Sequence, residues 1–274
     1  MTLPDWDDAF ANSPYIANAA SYPALWAAQA AAFRATAKGQ FDTPYDTAPR
    51  TRFDLFMPQG DVTGLVVFVH GGYWKAFDRQ DWSHLAAGAI NRGWAVAMPG
   101  YSLAPAARLP DMAQQIASAI HAAAAQVSGP IHLAGHSAGG HLVTRMLSAP
   151  GILPVETFSR IRRVTSIAGL HDLRPLLHTE MNATLKLTDA TAHSESPALH
   201  PRLRGPAVTA WVGAQERPEF LRQSRLLAEA WAGTEFVIDA GCHHFDVIEG
   251  LRYPDSPLTR AMLAAPPEQA VQDA

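Results

Sequence analysis

A chain of 274 residues has room for one large α/β domain or two small ones. It carries 48% hydrophobic and only 17% charged residues, against about 25% charged in an average soluble protein, which excludes a disordered or fibrous chain. A net charge of −4 gives no electrostatic case for a nucleic-acid or anionic-membrane partner, and a single cysteine, Cys242, excludes an internal disulfide framework and any multi-cysteine metal site. There is no apolar run long enough to span a bilayer, and residues 1–8 are acidic without the apolar core of a signal peptide. A cytoplasmic enzyme with no membrane partner is expected.

In chain order, residues 1–45 predict a helical extension outside the main domain. Its alanine-rich helix covers 22–37, with Pro23 in the first turn and Ser21 as N-cap. Such a helix either covers a pocket or packs on the surface as decoration. Residues 51–57 alternate and predict a half-buried strand. Residues 65–69 are continuously apolar, as in a strand covered on both faces, and run straight into His70-Gly71-Gly72-Tyr73-Trp74. A helix over 81–92, a buried strand over 94–98 and a long helix over 111–127 follow. Residues 131–134 predict a strand and 138–147 a helix, with Leu142, Val143, Met146 and Leu147 on its apolar face. Strands at 164–168 and 207–212, a helix at 219–231 and a last strand at 235–238 complete the series. This alternation predicts one α/β domain, residues 1–274, with a mostly parallel central sheet and helices on both faces. Residues 174–206 are polar, aperiodic and too long for a simple connection, which predicts a cap or lid insertion beside the site.

In such sheets, sites form at the carboxyl ends of strands. Gly135-His136-Ser137-Ala138-Gly139 lies between a strand and a helix. That is the context of a nucleophile elbow, which holds a serine on a strained turn at the positive end of a helix. Acyl transfer by Ser137 needs a base, a group that orients the base, and donors for the oxyanion. The order serine, acid, histidine is available as Ser137, then Asp172 or Glu216, then His243 or His244. An acid in this order follows the penultimate strand, which points to Glu216. Backbone N–H groups of Gly71, Gly72 and Ala138 are the candidate oxyanion donors. His136 is expected to pack against the sheet, His121 and His132 read as structural, and His141, one helical turn after Ser137, is either structural or faces the pocket. His243 and His244 lack a third ligand at fitting spacing, so neither a metal nor another cofactor is expected.

Together, His70-Gly71-Gly72-Tyr73-Trp74 and Gly135-His136-Ser137-Ala138-Gly139 resemble the kynurenine formamidase (arylformamidase) branch of the α/β-hydrolases. Tyr101-Ser102-Leu103-Ala104-Pro105, Asp172-Leu173-Arg174-Pro175-Leu176, Val212 to Phe220 and His244-Phe245-Asp246-Val247-Ile248-Glu249 extend the likeness over residues 45–255. The resemblance implies an α/β-hydrolase fold and a serine hydrolase that cleaves the formyl amide of an aromatic amine of the N-formylkynurenine kind. It also implies that His244, directly before Phe245, is the base and that Asp172 serves the fold or cap. A small acyl side and a larger aromatic leaving side would suit Tyr73 and Trp74 as substrate-binding residues, with core packing as the other reading of both rings. The sequence departs from related patterns in three places. Glu216 stands where the family often has aspartate, Ser102 where related esterases often carry arginine, and Tyr73 where they usually show a third glycine. A general short-chain carboxylesterase is the alternative activity. A non-catalytic binding protein on the same fold is a further alternative, against which the intact serine, histidine and acid argue. The expected partner is a small-molecule substrate, with the chain working alone or as a homodimer.

Overall fold

A computed structural model describes residues 4–265. Residues 1–3 and 266–274, the two ends of the expected 1–274 domain, lie outside the described residues. Eight strands form one sheet: Gly39–Pro44 (β1), Arg52–Phe56 (β2), Gly64–Val69 (β3), Trp94–Pro99 (β4), Ile131–His136 (β5), Ile161–Ile167 (β6), Ala207–Gly213 (β7) and Glu235–Asp239 (β8). Their order is β1-β2-β4-β3-β5-β6-β7-β8. The apolar runs set the centre. Every residue of β3, β4 and β5 is buried, and these strands pair in parallel, because strands covered on both faces need no polar alternation. β6, β7 and β8 continue the parallel register, whereas β1 and β2 pair antiparallel at the other edge.

Helices pack against this mostly parallel sheet. In the Leu109–Ala124 helix, Pro110 sits in the first turn and the Asp111 carboxylate accepts from the Arg108 N–H at 3.1 Å. Its buried face repeats at three- and four-residue intervals through Met112, Ile116, Ile120 and Ala123. The Ala138–Arg145 helix packs on β5, β6 and β3, and the Pro218–Ala230 helix on β7.

Several expectations change in detail. The helix expected over 81–92 is a 3-10 segment, Arg79–Ala86, followed by a short helix, Ala87–Ile90. Six residues of the 3-10 segment are buried, so packing on more than one side sets its backbone rather than a 3.6-residue stripe. Ser21 does not cap the Tyr22–Arg34 helix. Its backbone is already helical because a 3-10 turn, Ala19–Ser21, runs into that helix, and its hydroxyl donates to the Asn18 carbonyl at 2.8 Å. Residues 174–206 form two short 3-10 segments, Arg174–His178 and Pro197–Leu199, and two short α-helices, Asn182–Leu185 and Asp189–Ser194. They are tied to the body by the buried Arg145–Glu195 pair at 3.1 Å. Among the described residues, no helix is long and apolar enough to cross a membrane.

Candidate active site

β5 ends at His136 and delivers Ser137 into the turn. Ser137 has φ 54° and ψ −116°, a conformation L-residues avoid. Its N–H is held by the Ile167 carbonyl of β6 at 2.8 Å. The two motif glycines are required by close approach. A Cβ on Gly139 would lie 1.9 Å from the Val69 carbonyl oxygen, and one on Gly135 would lie 2.2 Å from the Gly139 oxygen. Without side chains at these positions the elbow helix can press against β3 at Gly139 and turn tightly off β5 at Gly135.

The loop after β7 brings in Glu216, and the loop after β8 brings in His244. His244 Nε2 lies 3.1 Å from Ser137 Oγ, and His244 Nδ1 lies 2.7 Å from Glu216 Oε2. With the ring proton on Nδ1 donated to the carboxylate, Nε2 presents its lone pair to the serine hydroxyl. All three side chains are buried. Burial pushes the His244 imidazole below its ordinary value, with His243 adding to that effect, and raises the Glu216 carboxyl. Their mutual contact opposes both shifts without removing the cost of burying an imidazolium. His244 is thus held as a neutral proton acceptor.

The alternatives at the same strand ends go elsewhere. Asp172 holds Arg174 through two contacts at 2.9 Å, and the Arg174 guanidinium lowers its pKa against the opposing effect of burial. The His243 ring faces Asp246 and Tyr22. His136, expected against the sheet, lies at the site instead. Its Nε2 is 2.9 Å from the His244 carbonyl, and its ring centre is 4.7 Å from that of His244.

β3 supplies the facing loop. Gly71 sits directly against the serine, where a Cβ would meet the Ser137 Cβ at 3.1 Å. Beneath it, Tyr101 stacks on His70 at 4.7 Å and donates its hydroxyl to the His70 carbonyl at 3.1 Å. The N–H groups of Gly71, Gly72 and Ala138 have no backbone acceptor among the described residues, so they are free to donate to a ligand beside Ser137.

A cavity of about 910 Å³ opens at this point, with Gly72, Tyr73, His136, Ser137, His244 and Phe245 on one side. Trp74 is not part of its wall. It is fully buried and donates its indole N–H to His141 Nδ1 at 3.2 Å. Consecutive left-handed residues, Tyr73 at φ 48° and Trp74 at φ 55°, separate the paths of the two rings. His141 in turn bonds the Glu195 carbonyl at 2.7 Å.

The rest of the lining comes largely from the N-terminal extension, whose helix was expected either to cover a pocket or to decorate the surface. Phe10, Asn12, Ile16, Ala19, Pro23 and Trp26 belong to it, whereas residues 174–206 contribute only Met181. The N-terminal extension carries no motif that marks this role. The alanine-rich helix placed outside the main domain was the available signal.

Similarity to known proteins is consistent with this geometry. The profile of the alpha/beta hydrolase family matches residues 66–270. Kynurenine formamidase of Danio rerio is 30% identical over 244 residues, covering 84% of this chain and 83% of that protein. A crystal structure from Silicibacter sp. TM1040, provisionally named a thioesterase, superposes with a TM-score of 0.92 at 50% identity, covering 95% of this chain and 99% of that one. Esterase B of Lactobacillus rhamnosis superposes with a TM-score of 0.62 at 19% identity, over 88% of this chain and 90% of that one, a likeness of fold.

Proposed function

We propose that this chain, which belongs to the alpha/beta hydrolase family, cleaves the formyl amide of an aromatic amine of the N-formylkynurenine kind. It is a hydrolase of the formamidase or esterase kind. The observation that carries the serine mechanism is the hydrogen-bonded series Ser137, His244, Glu216, of which Ser137 and His244 line the carbon-lined cavity. In this reading Ser137 Oγ attacks the formyl carbon as His244 Nε2 takes its proton, and Glu216 keeps the imidazole in the accepting tautomer. The oxyanion is received by the N–H groups of Gly71, Gly72 and Ala138, each worth roughly 3–4 kcal/mol in the transition state. Collapse breaks the C–N bond, and His244 returns the proton to the leaving amine. Water, activated by the same histidine, then releases formate from Ser137. Tyr73 contacts the leaving group. Trp74, which does not line the cavity, is given no such role in this reading.

The formyl preference is supported by the curated relative's activity and by the large cavity beside a cramped serine. The Silicibacter protein's provisional name favours a second reading, hydrolysis of short-chain esters or thioesters by the same residues. The deciding experiment compares kcat/KM for N-formylkynurenine, its N-acetyl analogue and N-formylmethylamine, because that ratio reports transition-state binding. A formamidase prefers the first over both others. Equal values, or a clear preference for butyryl esters over all three, would favour the esterase.

A further inference from the structure

Four loops carry the groups assigned to the chemistry, and one N-terminal stretch grips three of them, those after β3, β7 and β8, at a neighbouring residue. Tyr73 follows Gly72 and donates its hydroxyl to the Phe10 carbonyl at 2.6 Å. Arg217 follows Glu216. Its guanidinium lies 3.5 Å over the Tyr15 ring and bonds both the carboxylate and the carbonyl of Asp8, at 2.5 and 3.2 Å. His243 and Phe245 flank His244. The Tyr22 hydroxyl lies 3.2 Å from His243 Nε2, and the Tyr22 ring meets His243 and Phe245 edge-on. One turn further along, Trp26 packs on Phe245 with ring centres 5.4 Å apart. The far end is anchored in the sheet, where Arg34 pairs with the fully buried Asp54 at 2.5 Å. The same stretch forms the outer wall of the cavity.

We infer that residues 5–34 brace and wall the active site, and that Asp8 and Tyr22 are positioning residues acting through Arg217 on Glu216 and through His243 on His244. This rests on the reading of Ser137, His244 and Glu216 given above. Surface decoration would have no reason to converge on the residues beside three separate site groups. Loops at strand ends are soft, while a proton relay must be held within about 0.5 Å of its working geometry. The Tyr22–Arg34 helix provides the rigid element that the loop after β8 lacks. A loosened brace lengthens the gap between His244 and Ser137, and it also lets water reach an imidazole that burial keeps neutral. The first effect lowers kcat. The second raises the pH at which the base becomes protonated.

The test uses the full chain carrying Asp8→Ala, Tyr22→Phe, both together, and Asp8→Glu, each assayed on formanilide and p-nitrophenyl acetate across pH. Thermal midpoints are followed in parallel. The double variant should lose about tenfold or more in kcat, since small misplacements cost up to about 10²-fold. KM for the small ester should move less than about twofold, and the acid limb should shift to higher pH. Asp8→Glu, which keeps the ion pair, should recover most of kcat. The brace is overturned by a double variant within twofold of wild-type kcat. It is also overturned by a loss confined to KM, or by lost kcat with an unmoved acid limb and a lowered thermal midpoint. Ser137→Ala, run alongside, separates the two failures. Loss there without loss in the brace variants overturns the brace alone, whereas turnover kept there overturns the site reading and the brace with it.

Discussion

At the scale of single residues, Glu216 and Asp172 are two buried carboxylates at adjacent strand ends, and only Glu216 touches the imidazole. Glu216→Gln should lose about 10²-fold or more in kcat, because an amide in that place no longer favours the accepting tautomer. Asp172→Asn should lose far less, and the reverse ranking in a kinetic comparison would reassign the acid. The pH profile follows from His244. A base held below the ordinary imidazole value of about 6.5 stays deprotonated at lower pH. Activity should therefore fall only as pH drops through that lowered value, and an acid limb in kcat/KM at or above 6.5 would contradict the assignment. Ser137 and its glycines were legible because the elbow is a five-residue pattern whose constraints are local. Choosing His244 over His243 required the resemblance, since neighbouring loop residues differ only in direction. Direction also decided between the two readings of Trp74 and misled at His136. Neither the paired left-handed residues Tyr73 and Trp74 nor the bond from His136 to the His244 carbonyl leaves a mark in sequence spacing.

At the scale of elements, the buried strands β3, β4 and β5 were readable because burial on both faces leaves an unbroken apolar run. β1 was not, since an edge strand exposed at five of six positions carries no such run. The elbow helix and β3 are joined by contact across Gly139. Gly139→Ala should cost ~3 kcal/mol or more, at the upper end for overpacking, because the Val69 carbonyl is backbone and cannot turn aside. Urea unfolding of the purified variant measures this. Unchanged stability would mean that the helix does not bear on β3 as described. The N-terminal extension was legible as a helix, but its function as a wall depends on residues more than 200 positions away, such as Arg217 and His243.

At the scale of the whole molecule, the alternation of strands and helices was enough to give the sheet, and strand ends then gather the site. The chain also buries several neutral histidines. Burial lowers His70, His132 and His141 to about 4 and His171 to about 3. In the unfolded chain these groups bind protons near pH 6.5, so between about 6.5 and 4 the unfolded state holds more protons and stability falls as pH falls. Each contributes at most about 1.4 kcal/mol per pH unit across that window. The thermal midpoint should therefore decline steadily from pH 7 to pH 4.5. A flat profile over that range would show that these rings do not have to be neutral in the folded protein.

The central claim is that Ser137 carries out the hydrolysis of a formyl aryl amide. Its most direct test is kcat/KM for N-formylkynurenine, measured on the wild type and on Ser137→Ala with folding verified by circular dichroism. We predict clear turnover by the wild type and a loss of about 10⁴-fold or more in the variant, leaving only what the oxyanion donors and binding supply. Turnover by Ser137→Ala within tenfold of the wild type, or a wild type inert toward the formamide, would contradict the account.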